Sequence, residues 1–88
     1  MNKIMSNEEI IERINGFLVD EFEVEESKIS PEANLKETLD LDSLDYVDLV
    51  VEIENNFGFK VMPEDFNTIV SFKNFYQYII NRVNQKNG

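Results

Sequence analysis

The sequence contains no cysteine and no histidine, and each absence excludes a class of function. Without cysteine, the chain has no disulfide framework and no thiolate metal site. Without histidine, it has no His-dependent catalytic triad and no His-ligated zinc. Catalysis by paired carboxylates needs a cleft that shifts their pKa values, and no residue pattern here indicates one. We therefore predict a chain that is not an enzyme and holds no metal.

Long hydrophobic runs are also absent. No stretch of about 18 apolar residues could span a membrane, and the first residues contain no apolar segment of signal-peptide length. These absences predict a cytoplasmic protein without a membrane span. A length of 88 residues leaves room for a single domain. We expect this domain to cover residues 1–88, with an ordered core of about 7–84.

Basic residues are few, with 8 Lys and Arg against 18 Asp and Glu, and the formal net charge is −10. Nucleic acids and anionic membranes are themselves negative, so this balance argues against both as partners. It favours partner proteins with basic surfaces. The alternative is that the acidic residues serve only to keep a small protein in solution.

Apolar residues recur at helical spacing in three segments of the chain. Each segment is bounded by residue types that favour helix ends, such as serine or aspartate before it and glycine after it. We predict one helix at residues 7–21, a second from Asp42 or Ser43 to Gly58, and a third after Ser71 with a frayed polar tail at 84–88.

The segments between these helices lack a sustained period. Residues 24–41 form a long loop in this interpretation, with a short helical turn near residues 34–38. Pro63 begins another helical turn at residues 63–66, because proline is favoured at the first position of a helix. The predicted fold is all-α, a small four-helix bundle of three main helices and one short helix, and we expect a monomer.

One serine occupies a position with chemical significance. Ser43 follows Asp42 at the predicted start of the second helix, where unpaired backbone N–H groups and the positive end of the helix dipole gather. A phosphodiester on this hydroxyl would be stabilised by about 0.3–1 kcal/mol. Taken alone, the pair is more typical of an ordinary helix cap, because Asp-Ser pairs are common at helix starts.

The surrounding residues point further. Asp42-Ser43-Leu44 resembles the signature of the acyl carrier protein family, which lies at the start of that family's second helix. The resemblance extends in register from about Glu8 to Val83. Further matches are Asp45, Val47, the Glu-Asn-Asn-Phe-Gly run at 54–58, Ile69, and the pair Tyr78 and Ile79.

The chain also departs from the family pattern at three places. Asp40 stands where the family usually has glycine, two residues before the motif aspartate. Met62 separates Val61 from Pro63, whereas the family often has proline directly after this apolar residue. Phe75 is large where many relatives have a small residue, which suggests a reshaped acyl cavity and a specialised carrier.

The resemblance implies a prosthetic group and a role. Ser43 would receive 4′-phosphopantetheine from coenzyme A through a separate phosphopantetheinyl transferase, and the terminal thiol would carry acyl groups as thioesters. Asp42 would cap the helix and orient this transfer, and Leu44 would pack beside the serine and contact partner enzymes. The family shuttles such intermediates between enzymes of fatty-acid, polyketide or related lipid biosynthesis.

The resemblance also implies a docking face on the second helix. Six acidic residues and no basic ones lie between residues 40 and 54. They would contact basic surfaces of the transferase, an acyl-ACP synthetase or acyltransferase, and a ketosynthase. Each exposed charge pair contributes only about 0.2–1 kcal/mol, so binding would be transient and salt-sensitive. The candidate docking residues are Asp45, Val47, Asp48, Val51, Glu52 and Glu54.

In the family, an acyl chain can enter the space between the helices. The same positions in this chain can also be read as ordinary core. The candidate cavity residues are Leu49, Ile53, Phe57, Ile69, Tyr78 and Ile79.

Three alternatives to an acyl carrier protein are a calcium-binding module, another type of carrier and an interaction domain. An EF-hand loop beginning at Asp40 would need glycine at its sixth position and glutamate at its twelfth, which are Asp45 and Val51 here, so a calcium site is disfavoured. A peptidyl or D-alanyl carrier would share the serine and the bundle. A more remote alternative is an acidic helical interaction domain without a prosthetic group.

Overall fold

The computed structural model describes residues 6–87, with side chains to residue 85, and these residues form helices and connecting loops. Two 3₁₀ turns lie between the helices, and within this range the only β-type pairing is an isolated bridge between Asn34 and Ser71. The all-α prediction of three main helices and one short helix is confirmed. The elements are α1 (Asn7–Phe22), a first 3₁₀ turn (Glu26–Lys28), α2 (Leu35–Leu39), α3 (Ser43–Phe57), a second 3₁₀ turn (Pro63–Asn67) and α4 (Phe72–Asn87).

Local hydrogen bonds define where the helices begin. At α1, the Glu9 N–H donates to Ser6 Oγ at 3.1 Å and the Ser6 N–H donates to Glu9 Oε1 at 2.9 Å, which completes the predicted capping box. At α4, the Asn74 N–H donates to Ser71 Oγ at 3.1 Å, as predicted. Gly58 ends α3 at φ 80, a left-handed conformation that glycine adopts without steric cost.

The core combines the apolar faces of α1, α3 and α4, which the helical periods predicted, with apolar residues of α2 and the connecting segments. α1 packs against α4 and α3, and α3 contacts the second 3₁₀ turn. Every residue in this core is apolar apart from the hydroxyl of Tyr76, which donates to Asn15 Oδ1 at 2.7 Å. The completely buried side chains are Ile10, Ile14, Leu18, Leu35, Leu49, Ile53, Phe72, Phe75 and Ile79.

The long connection between α1 and α3 is tied to the start of α4. The Leu35 N–H donates to the Val70 carbonyl at 2.9 Å, and the N–H groups of Phe72 and Lys73 donate to the carbonyls of Ala33 and Pro31 at 3.1 and 3.0 Å. These bonds satisfy backbone groups that a helix start leaves unpaired. They hold α2 in place directly before α3.

Two details differ from the sequence prediction. The first 3₁₀ turn, Glu26–Lys28, was not predicted, because the three residues carry no apolar period. The polar tail was predicted to fray from residue 84, but α4 continues to Asn87. No glycine or proline lies between the buried Val83 and Asn87, so the helical hydrogen bonds continue to that residue. Gly88, the last residue of the predicted tail, lies outside the described residues.

A hydrogen-bonded group of side chains attaches the second 3₁₀ turn to α4. The Tyr78 hydroxyl donates to Asp65 Oδ2 at 2.6 Å, and Arg82 donates to the Tyr78 hydroxyl at 3.0 Å and to the Lys60 carbonyl at 3.1 Å. Burial, followed by the hydrogen bond and the charge of Asp65, raises the pKa of Tyr78 to about 12. The Arg82 guanidinium also lies over the Phe59 ring, 4.8 Å from its centroid.

None of the helices described between residues 6 and 87 combines the length and apolar character that crossing a bilayer requires.

Candidate functional site

Ser43 is the first residue of α3, and its side chain is exposed. The capping role belongs to its neighbour, since Asp42 Oδ1 accepts the Asp45 N–H at 3.1 Å. No hydrogen-bond partner for the Ser43 hydroxyl is found in the described part of the chain. The structure therefore separates the two roles that the sequence left open: Asp42 caps the helix, and Ser43 presents an unengaged hydroxyl at its positive end.

The backbone before Ser43 explains how the chain accommodates aspartate in place of the family's usual glycine. Asp40 adopts φ 49 and ψ 47, a left-handed conformation that terminates α2. Aspartate and asparagine enter this region more readily than most residues other than glycine. The substitution thus keeps the turn that separates α2 from α3 and adds one negative charge.

A groove of about 200 Å³ adjoins the serine. One wall is formed by α2 and α3, and the other by the second 3₁₀ turn. The hydroxyl oxygen of Tyr46 is screened from water and has no hydrogen-bond partner within residues 6–87. Burial of this ring raises the Tyr46 pKa above its ordinary value. The groove is lined by Lys36, Ser43, Tyr46, Pro63, Phe66 and Asn67.

These residues fit an anionic, partly apolar group carried on Ser43. Lys36 supplies a positive charge, Pro63 and Phe66 supply apolar surface, and the Tyr46 hydroxyl is a buried polar atom that lacks a partner. Within residues 6–87, no group of carboxylates is arranged to hold a metal ion.

The predicted docking residues lie along α3. Val47 and Val51 are about half exposed, at 50% and 47%, and Leu44 is 76% exposed, so they form an apolar row at helical spacing on the surface. Asp48 is exposed, whereas Asp45, Glu52 and Glu54 are half-buried. Glu52 Oε1 also accepts a hydrogen bond from Asn56 Nδ2 at 3.1 Å.

This face also includes two residues of α1 that the sequence analysis did not predict to lie there. Glu21 and Phe22 share a shallow depression of about 210 Å³ with Asp48, Val51 and Glu52. Their acidic and apolar character matches that of α3. Phe22 is also half-buried against the core, and the local pattern of α1 contained no signal that the end of this helix would lie beside α3.

The predicted cavity residues divide into two groups. Leu49, Ile53, Ile69 and Ile79 are buried in the core, with at most 4% of each side chain exposed. Phe57 and Tyr78 are only half-buried at its edge, and the Phe57 ring stacks on Phe59 at 6.3 Å. A separate groove of about 460 Å³ between α1 and α4 is lined by none of the six. Their role in binding an acyl chain stays a prediction.

The comparisons with known proteins match this arrangement. The family model described as "Phosphopantetheine attachment site" matches residues 12–79, a range that includes Ser43 and the whole groove. An acyl carrier protein of Rubrobacter xylanophilus is 36% identical over 76 residues, which are 86% of this chain and 94% of the relative. The chain belongs to the acyl carrier protein family.

Two further carriers support the assignment. Acyl carrier protein 2 of Ralstonia nicotianae is 38% identical over 65 residues, covering 74% of this chain and 80% of the relative. An acyl carrier protein of Thermosynechococcus vestitus is 32% identical over 79 residues, covering 90% and 98%. Members of this family are carriers and not enzymes, and their prosthetic group is phosphopantetheine.

Proposed function

We propose that Ser43 is the residue to which phosphopantetheine is attached. The observation that carries this proposal is the exposed, unpartnered hydroxyl at the first turn of α3, with the cap already supplied by Asp42. Ser43 Oγ would form the new bond to phosphorus and lose its proton, while the diphosphate bond of coenzyme A breaks and adenosine 3′,5′-bisphosphate leaves. A separate transferase would catalyse this step.

The local charges of α3 favour the product. Its N-terminal N–H groups and the helix dipole stabilise a negative group in the first turn by about 0.3–1 kcal/mol. Lys36 lines the same groove and carries a positive charge. A phosphodiester on Ser43 would be repelled by the nearby carboxylates of Asp40, Asp42 and Asp45. Lys36 is therefore the important local counter-charge.

The thiol of the arm would then carry acyl intermediates between enzymes of fatty-acid, polyketide or related lipid biosynthesis. The names of the relatives support an acyl cargo over a peptidyl or D-alanyl one. A cytoplasmic location is part of the same proposal.

The docking face proposed for partner enzymes is the apolar row of α3 together with its flanking acids. Its half-exposed valines would be covered by apolar residues of the transferase, acyltransferase or ketosynthase, and Asp48 would pair with their lysines and arginines. Such contacts are individually weak. A carrier needs this weakness, since it must leave each enzyme after its reaction.

The proposed acyl cavity lies among Leu49, Ile53, Ile69 and Ile79. A row of rings runs from the groove into the same core: Tyr46 and Phe66 are 5.3 Å apart between centroids, and Phe66 and Phe75 are 5.8 Å apart. Because Phe66 and Phe75 occupy core volume, an acyl chain that entered from this groove would have to displace them. This supports the proposal of a specialised carrier with a restricted cargo.

Intact mass after incubation with coenzyme A and a broad-specificity phosphopantetheinyl transferase tests the attachment. The wild-type chain is expected to gain one phosphopantetheine, and Ser43→Ala is expected to gain none. Ser27→Ala, which changes an exposed serine in the first 3₁₀ turn, is the matched control and should load like wild type. Loading of Ser43→Ala, or no loading of wild type by several transferases, would reject Ser43 as the site.

A further inference from the structure

The side chain of Arg82 joins α4 to residues 59–62, the segment that connects α3 to the second 3₁₀ turn. Two of its nitrogens donate to different acceptors: Nη1 to the Tyr78 hydroxyl at 3.0 Å and Nη2 to the Lys60 carbonyl at 3.1 Å. The guanidinium also lies 4.8 Å from the centroid of the Phe59 ring, a distance at which cation–π attraction acts. One side chain of α4 therefore contacts two successive residues of this segment.

The same group of contacts reaches the other end of the segment. The Tyr78 hydroxyl, which accepts from Arg82, donates to Asp65 Oδ2 at 2.6 Å. That oxygen also accepts the N–H of Met62 at 3.3 Å. Arg82 is thus bonded directly to Lys60 and, through two further side chains, to Met62. Because the donors of a guanidinium lie in one rigid plane, the two bonds of Arg82 fix the position of the segment as well as attaching it.

The segment held in this way presents an apolar side chain to solvent. Met62 is 55% exposed, and the next residue, Pro63, lies beside Ser43. Leu44, which follows the serine, is 76% exposed. Exposed apolar side chains therefore occur both on α3 and on this segment near the attachment point. Clustered apolar surface of this kind is typical of a site that a partner protein covers.

We propose that Arg82 is a positioning residue for the loading of Ser43, because it holds residues 60–62 in the place where Met62 forms an apolar contact with the phosphopantetheinyl transferase. The inference rests on the proposed attachment at Ser43, and it assigns a role to a residue of α4 that lies outside the docking face. A segment already held in its bound position loses less conformational entropy when a partner covers it. Loss of the two bonds from Arg82 would therefore weaken binding of the carrier without altering the serine.

Transferase kinetics with Arg82→Lys test the inference, because this change keeps the net charge and removes the planar pair of donors. The KM for the carrier should rise about threefold to tenfold, while kcat stays within about twofold of the wild-type value. Met62→Ala should raise the KM by a similar factor, since it removes the apolar contact itself. Arg13→Lys changes an exposed arginine of α1, and as the matched control it should load like wild type.

The double variant, with Arg82→Lys and Met62→Ala together, shows whether the arginine acts through the methionine. If it does, the KM of the double variant should exceed that of Met62→Ala by less than about twofold, because the contact that Arg82 positions is already absent. An arginine that affects loading only through general stability would instead give two effects that multiply. Urea unfolding of each variant, measured first, ensures that every assay is run on folded chains.

Amide hydrogen exchange gives a second readout that does not involve the transferase. The N–H of Met62 should exchange at least about threefold faster in Arg82→Lys than in wild type, and at the wild-type rate in Arg13→Lys. An unchanged KM in Arg82→Lys, effects that multiply in the double variant, or equal exchange rates would each overturn the inference. Absence of loading of the wild-type chain would instead reject the attachment at Ser43, so the two failures are distinguishable.

Discussion

At the residue scale, Asp40 shows how one position can depart from a family pattern without losing its local structure. Its φ of 49 is the conformation that glycine adopts freely and that most other residues avoid. The aspartate therefore stores a small conformational strain three residues before Ser43. The sequence shows that glycine is replaced at this position. Only the structure shows that the replacing aspartate adopts a positive φ.

Asp40→Gly and Asp40→Ala test this strain, since both variants remove the same charge. We expect Asp40→Gly to be more stable than Asp40→Ala by about 1 kcal/mol, because alanine in the left-handed region carries a steric penalty that glycine does not. Urea unfolding at neutral pH measures the difference. Equal stability of the two variants would show that residue 40 is not held at positive φ in solution.

At the scale of elements, the second 3₁₀ turn depends on side chains of α4 for its position. The Tyr78 hydroxyl donates to Asp65 in the turn, and the Phe66 ring of the turn lies 5.8 Å from the Phe75 ring of α4. Arg82 holds the segment just before the turn through the Lys60 carbonyl and the Phe59 ring. Since the turn forms one wall of the groove at Ser43, these contacts with α4 help to position that wall.

The raised pKa of Tyr78 predicts a pH dependence. Its folded-state pKa of about 12 exceeds the ordinary value of 10.0, so the unfolded chain loses this proton first as the pH rises. The stabilisation is complete below about pH 10 and is lost as the pH rises through 12. Wild type should therefore lose stability more steeply than Tyr78→Phe between pH 10 and 12.

At pH 8, removal of the hydrogen bond to Asp65 should make Tyr78→Phe less stable than wild type by about 1–2 kcal/mol. Urea unfolding at pH 8, 10, 11 and 12 measures both effects. Tyr46 and Tyr76 also have raised pKa values, but they are present in both chains and cancel in the comparison. Parallel stability curves across this range would contradict the assignment of the shift to Tyr78.

At the scale of the whole molecule, charge is the dominant property. The net charge of −10 steers the carrier towards any basic surface, whereas only the acids near the apolar row of α3 would contact a docked partner. Global steering and local docking therefore predict different results for charge reversals at different places.

Asp48→Lys and Glu12→Lys separate the two, because each changes the net charge by the same two units. Glu12 lies nine residues before Glu21, about 13 Å along α1 from the depression on the docking face. We expect Asp48→Lys to raise the transferase KM about twofold to tenfold, and Glu12→Lys to change it less than twofold. Initial loading rates at low and high salt measure this, and equal effects of the two variants would reject a local docking face.

The sequence by itself determined the helices, the core and the serine motif, because these depend on short-range patterns. Helical period, capping residues and glycine placement act within a few residues of each other, and they correctly located α1, α3 and the start of α4. The same reasoning from local composition predicted a frayed end for α4. The helix instead continues to Asn87, because no helix breaker precedes that residue.

The groove and the composition of the docking face were decided by tertiary structure alone. Lys36, Tyr46 and Phe66 come from three separate elements, and no periodicity relates them. Glu21 reaches the docking face only because α1 ends beside α3. Their proximity results from the packing of α2 and the second 3₁₀ turn against α3, which depends on the backbone bond from Leu35 to Val70 and on the bonds from Tyr78 to Asp65 and from Arg82 to the Lys60 carbonyl. These interactions join residues far apart in the chain, so local sequence patterns contain no record of them.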